Sequence, residues 1–241
     1  MRTLGILGGM SSESTHDYYR RLNQGVNRAL GGHHAARVLI HSVNLHDVFT
    51  WLRSGREDLL AEHLSDAAAG LEGAGAEMVL MACNTAHVVA PQVEARLGVP
   101  FLHIADVLGQ ALRDAGHRRA ALLGSLVTVE APFYAERLAR FDVETLAPEP
   151  VARQEVDRII HEELCFRQVL DGSRRRLATI AENLAADGAE AVVLGCTELG
   201  LLIDTPTVAG LPVFDTTVLH SQAAVDWALE GIADEARVHA A

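Results

Sequence analysis

Two cysteines stand at matching points of this chain. Cys83 closes the run Gly75-Ala-Glu-Met-Val-Leu-Met-Ala-Cys, and Cys196 closes Gly188-Ala-Glu-Ala-Val-Val-Leu-Gly-Cys. Each ends an apolar, strand-like stretch and precedes residues that suit a helix entry, Asn84-Thr85 and Thr197-Glu198. A free thiol ionises near pH ~8.5, and a helix N-terminus lowers that value because its exposed N–H groups favour the thiolate. A thiolate facing a thiol across a small molecule can take a proton from one face of a carbon and return one to the other. The pair also admits plainer readings: a disulfide, a lone nucleophile, or buried filler. Cys165, on the apolar side of a helical pattern, is expected to be filler. With three cysteines and no Cys-x-x-Cys, neither a disulfide framework nor a thioredoxin-like motif is present.

A second constellation opens the chain, Gly5-Ile-Leu-Gly-Gly-Met-Ser-Ser-Glu-Ser-Thr. It reads as a strand, a glycine turn and a helix entered through Ser11 or Ser12. Such a turn exposes N–H groups and hydroxyls that could receive a carboxylate or phosphate. The glycines do not follow Gly-x-Gly-x-x-Gly, which disfavours a nucleotide. The counterpart turn is Gly124-Ser125-Leu126-Val127-Thr128, whose Ser125 and Thr128 hydroxyls either hold a substrate or cap a helix. His87 is expected one turn after Cys83, either supporting the thiolate or serving as a structural histidine. Arg53 and Arg56, in a loop-like Leu52-Arg-Ser-Gly-Arg, could clamp an acidic ligand or be ordinary surface arginines. The 12 histidines, His33, His34, His41, His46, His103 and His161 among them, are scattered without a ligand spacing, so no metal is expected.

These residues need a frame to position them. Candidate strands are Thr3–Leu7, Arg37–Ser42, Glu77–Met81, Ala120–Leu123, Val143–Leu146 and Ala191–Leu194, with further strand starts at Val99-Pro-Phe-Leu and Leu211-Pro-Val-Phe. Helical periodicity fills the gaps, as in Asp58–Leu71 and Arg153–Cys165, and Pro132 suits a first helical turn. Apolar strands alternating with helices predict an α/β fold whose mostly parallel sheets are covered on both faces. Gly8 and Gly124 stand 116 residues apart, Cys83 and Cys196 113, and Pro100 and Pro212 112. Such constant offsets predict two similar α/β domains, 1–105 with 212–241 and 106–211, related by a pseudo-twofold axis with the active site in the cleft between them. Active sites of parallel sheets gather beyond the strands' carboxyl ends. Of the 241 residues, 49% are hydrophobic and 22% charged, which excludes a disordered chain. A net charge of −12 argues against nucleic acid as a partner. No apolar run is long enough for a membrane span, and the N-terminus does not read as a signal peptide, so a cytoplasmic protein is expected.

Taken together, Leu4-Gly-Ile-Leu-Gly-Gly-Met-Ser-Ser-Glu-Ser-Thr, Cys83-Asn-Thr-Ala-His and Gly195-Cys-Thr-Glu-Leu resemble motifs of the aspartate/glutamate racemase family, which works without pyridoxal phosphate. His41-Ser-Val, Phe101-Leu-His-Ile-Ala-Asp and Ile160-His-Glu-Glu-Leu-Cys match further segments, so the resemblance runs nearly end to end. It implies that Cys83 and Cys196 are paired acid/base thiols, that no cofactor is needed, and that the protein is a homodimer acting on a small amino acid. Asn84, Thr85, Thr197 and Glu198 would bind the substrate, with backbone help from Met10 and Ser11. Ser12 stands where close relatives carry tryptophan, and Leu52 where members gripping an acidic side chain carry glutamine. Those departures open a non-acidic amino acid as an alternative substrate. A same-fold cis–trans isomerase or decarboxylase of small acids, and a non-enzymatic binder of small molecules, are the other readings.

Overall fold

The computed structural model describes residues 1–232. The chain divides into two units, one of Met1–His103 with the segment from His220 onward, the other of Ile104–Leu219.

The first unit is built on four parallel strands, β1 Leu4–Gly8, β2 Val38–Ser42, β3 Met78–Met81 and β4 Phe101–Leu102, in the order β2-β1-β3-β4. Leu4 lies opposite Val38 on one side and Met78 on the other. Because side chains alternate along a strand, β1 and β3 feed two separate cores. Leu4, Ile6, Met78 and Leu80 pack with Tyr18, Leu22 and Val26 of the helix Ser12–Leu30 and with Ala224, Val225 and Ala228 of the helix Thr216–Leu229. Leu7, Val79 and Met81 pack on the other face with Leu60, Leu64, Ala68 and Leu71 of the helix Glu57–Gly73. Each of these buried aliphatic side chains contributes roughly 1.5–3 kcal/mol.

The second unit holds β5 Arg119–Leu123, β6 Glu144–Leu146, β7 Ala191–Leu194, β8 Thr207–Val208 and β9 Leu211–Asp215, in the order β6-β5-β7-β9-β8. All pairs are parallel except β8 with β9. Ala121, Leu123, Val192 and Leu194 face Val156, Ile160, Leu177 and Ile180, while Ala120, Leu122, Ala191 and Val193 face Ile104, Leu108, Tyr134 and Leu138. Omitting the β8 edge, the order 6-5-7-9 reproduces 2-1-3-4. The internal repeat of the sequence is therefore a repeat of topology, with β1, β2, β3 and β4 answered by β5, β6, β7 and β9.

The unit boundaries differ from those expected. Residues 212–219 belong to the second unit because β9 hydrogen-bonds β7, so the return to the first unit comes at His220, inside the helix Thr216–Leu229. Residues 104 and 105 also fall in the second unit, since Ile104 and Ala105 pack into its core. The expected single helix over Arg153–Cys165 is three pieces: an α-helix Pro150–Arg158, a π-turn Ile159–Glu163 and a 3-10 turn Leu164–Phe166.

Candidate active site

Both cysteines lie two residues beyond the third strand of their unit. The backbone fixes them the same way in each. The Ala82 N–H donates to the Leu7 carbonyl at 2.9 Å, and the Gly195 N–H donates to the Leu123 carbonyl at 2.6 Å, so each strand is extended by one ladder bond. A hydroxyl then clamps each segment: Ser14 Oγ donates to the Ala82 carbonyl at 2.6 Å, and Thr216 Oγ1 donates to the Leu194 carbonyl at 2.7 Å. None of the three cysteines is in a disulfide, and Cys83 and Cys196 are partly exposed.

The first-strand turns correspond as well. Ser11 caps the helix Ser12–Leu30, its Oγ accepting the Ser14 N–H at 3.2 Å. Ser125 caps the helix Leu126–Glu130, its Oγ accepting the Thr128 N–H at 3.4 Å. Thr15 accepts the Gly9 N–H at 2.7 Å, which folds the glycine turn back on the helix. Gly9 has φ of 86°, and a Cβ there would drive into Val43's backbone, so only glycine fits. Met10's side chain is buried in the core of the first unit. Thr128 is fully buried, and its hydroxyl lies 3.1 Å from that of Ser125. It therefore buttresses Ser125 instead of offering a surface group.

Beyond the cysteines the halves diverge. Asn84 is buried and Thr85 opens a five-residue 3-10 turn, Thr85–Val89; Thr197 opens the corresponding Thr197–Leu201. Short 3-10 turns stand where α-helix N-termini were expected. The Cys196 thiol is instead pushed well above its ordinary value by burial and by Glu198, whose Oε2 accepts the S–H at 3.1 Å. Behind Cys83 lies a buried histidine cluster. His87 engages the Cys83 backbone carbonyl through Nδ1 at 2.8 Å, and its ring meets those of His103 at 4.6 Å and His220 at 6.1 Å between centroids. His220 sits between the Tyr18 hydroxyl at 2.8 Å and the Leu102 carbonyl at 2.9 Å, and burial pulls it down to about 4, so it is a neutral imidazole. No group of three His, Cys, Asp or Glu residues among the described residues could hold a metal ion.

Arg53 is the last residue of a helix, Leu45–Arg53, not part of a loop, and its guanidinium lies 5.5 Å from the Phe49 ring centre. Arg56 forms an exposed pair with Asp58 at 2.7 Å, the ordinary surface role. Leu52 packs against the core of the first unit, whereas Ser12 is exposed.

Over residues 7–224 the chain matches the family described as Asp/Glu/Hydantoin racemase. It belongs to that family. This racemase is 22% identical over 229 residues to the broad specificity amino-acid racemase RacX of Bacillus subtilis, covering 92% of this chain and 96% of the relative. Among solved structures, a Yersinia pestis protein described as an Asp/Glu racemase is 41% identical, with a TM-score of 0.89 and coverage of 95% and 100%. An aspartate racemase homologue from Pyrococcus horikoshii is 32% identical, with a TM-score of 0.81 and coverage of 95% and 99%. The family makes the protein an isomerase, and the fold matches the two α/β domains that the resemblance implied.

Sequence reasoning passed over one group in the racemase. Asp157, His161 and Cys165 form a row at spacings of four along one helical face. His161 Nε2 lies 3.4 Å from Asp157 Oδ1, and Asp157 Oδ1 also accepts the Leu126 N–H at 2.8 Å. Hydrogen bonds to Asp157 and then to Cys165 raise His161 to about 9, so it is a cation at neutral pH. Cys165 is half-buried and packs against the core of the second unit, as expected of filler, and it is also hydrogen-bonded to His161. The regular spacing of acid, imidazole and thiol was the available signal.

Proposed function

We propose that this family member is a cofactor-independent amino-acid racemase in which Cys83 and Cys196 are the acid–base pair on opposite faces of the substrate Cα. The supporting observation is their equivalence: two partly exposed thiols outside any disulfide, each two residues beyond the third strand and held by the same ladder bond in two sheets of one topology. The reading requires the two units to enclose one substrate between them. Burial and Glu198 keep Cys196 protonated, which makes it the acid of the resting enzyme and Cys83 the base for one enantiomer. The Cys83 thiolate takes the Cα proton, the Cys196 thiol gives its proton to the other face, and the product leaves with the thiol and thiolate exchanged. Hydrogen bonds from Asn84, Thr85, Thr197 and the Met10–Ser11 and Ser125 backbone would neutralise the substrate carboxylate as the carbanion develops. Closure of the units over the substrate would keep the proton from solvent. Free thiols suit a reducing cytoplasm, and the family resemblance implies a homodimer.

Aspartate and glutamate are the first substrates to try, followed by neutral amino acids, because Leu52 is engaged in the core and cannot supply a polar grip. The test is to incubate L-amino acids with the enzyme in D2O and to follow racemisation and Cα deuteration for Cys83→Ala and Cys196→Ala. Each variant is expected to lose racemisation by roughly 10²–10⁴-fold. Full racemisation by either one removes the two-thiol mechanism.

A further inference from the structure

The two post-cysteine turns are built differently, and the difference falls on one side chain. In the second unit the Cys196 carbonyl accepts the Leu199 N–H at 3.2 Å, the three-residue bond of a 3-10 turn. In the first unit the turn starts one residue later, at Thr85, and the His87 N–H donates to the Asn84 carbonyl at 3.1 Å. The Cys83 carbonyl, four residues back from His87, is met by the His87 side chain at 2.8 Å. A carbonyl only accepts, so the hydrogen of this bond sits on Nδ1. Gly200 stands as far past Cys196 as His87 stands past Cys83, and it has no side chain to make such a bond.

The His87 imidazole is fully buried and firmly mounted. Its ring centre lies 4.6 Å from that of His103, 5.8 Å from Phe101 and 6.1 Å from His220. His220 is in turn fixed at both ends: Nε2 donates to the Leu102 carbonyl at 2.9 Å, and Nδ1 accepts the Tyr18 hydroxyl at 2.8 Å. All of these residues belong to the first unit. The peptide joining Cys83 to Asn84 is planar and trans, so its N–H points opposite to its carbonyl. Drawing that carbonyl onto the buried imidazole therefore turns the Asn84 N–H away from the histidine cluster and sets the angle at which the chain leaves Cys83. Resting on the reading of Cys83 as an acid–base group, we propose that His87 is a positioning residue that holds the Cys83–Asn84 peptide by its carbonyl and so fixes how the thiol and the Asn84 N–H meet the substrate.

The test varies the donor in the full-length enzyme. In His87→Asn the side-chain amide nitrogen stands where Nδ1 stood, in His87→Gln it stands further out, and His87→Leu has no donor. Racemisation is followed for each, and iodoacetamide labelling of Cys83 and Cys196 is read in the same samples by peptide mass spectrometry. One neutral hydrogen bond is worth about two- to tenfold in the population it holds. His87→Leu and His87→Gln are expected to lower kcat by about that factor and to speed Cys83 labelling, because the released carbonyl turns outward to water. Cys196 labelling should stay at the wild-type rate, and His87→Asn should restore most of both properties of Cys83. Equal kcat in His87→Asn and His87→Gln overturns the inference, and that pair decides the case should His87→Leu not fold. Labelling that rises in parallel at both thiols, the mark of a generally loosened fold, also overturns it. Failure of the two-thiol reading would appear separately, as racemisation that survives Cys83→Ala.

Discussion

The two halves of this racemase share a scaffold and differ in charge. In the first, Cys83 is backed by His87, His103 and His220, all buried, and His220 is held neutral. In the second, Cys196 is flanked by an anion, Glu198, which accepts its S–H. Strand order, ladder bonds and serine caps are repeated, so the backbone gives each thiol the same address. The surroundings then differ in charge. Duplicated topology thus fixes where the two cysteines sit, while the titratable neighbours of each are its own.

One way to sharpen the comparison is acid titration of stability. The folded value of His220 lies below its unfolded value of about 6.5, so the folded state resists protonation. Its contribution is fully present above pH ~6.5 and declines as pH falls towards 4, amounting to about 3 kcal/mol. Denaturant unfolding at a series of pH values should show this loss, and His220→Gln should remove that part of the slope. An unchanged slope would mean that the neutral histidine cluster does not distinguish the first unit. His161 has the opposite sign: its stabilisation is complete below pH ~6.5 and is lost as pH rises towards 9.

A smaller effect is expected at Glu198. Glu198→Gln keeps an acceptor for the thiol but removes the charge that holds it up, so Cys196 should ionise about one unit lower. Racemisation has an equilibrium constant of one, which forces kcat/KM to be equal in the two directions at every pH. The asymmetry must therefore appear in the pH limbs: the descending limb should move to lower pH in Glu198→Gln while the ascending limb stays in place. A descending limb that does not move would assign it to some other group. The smallest expected change tests the shared scaffold. Ser11→Ala and Ser125→Ala each remove an N-cap and should each cost about 1 kcal/mol in thermal or chemical unfolding. A cost at one serine alone would show that the correspondence of the turns is geometric and not energetic.

Much of the frame was legible because buried parallel strands are written as short apolar runs. Ala191–Leu194 is found where the pattern put it, and Leu4–Gly8 and Arg119–Leu123 lie one residue from expectation. The repeat was readable because its landmarks, Gly8, Cys83 and Pro100, have partners at nearly constant offsets. What escaped depends on contacts that no local pattern encodes. His220 meets Leu102 across 118 residues of sequence, so its burial could not be inferred from its neighbours. The post-cysteine turns look like α-helix starts in composition but close as 3-10 turns, and burial with Glu198 alongside pushes the Cys196 thiol up where a lowering was expected. Position 212 was expected to return the chain to the first domain, yet β9 pairs with β7 inside the second unit just as β4 pairs with β3 inside the first.

The late return of the chain to the first unit also bears on how the molecule is made. One face of the β2-β1-β3-β4 sheet is covered in part by Ala224, Val225 and Ala228, and Val225 presses on Gly25 of the helix Ser12–Leu30. Every residue of the second unit is joined to the chain before those residues are added, and until then the first unit's sheet lacks that part of its cover. The first unit is thus closed by the last part of the chain to be made, and the segment from His220 acts as the stitch that joins the two ends of its sequence.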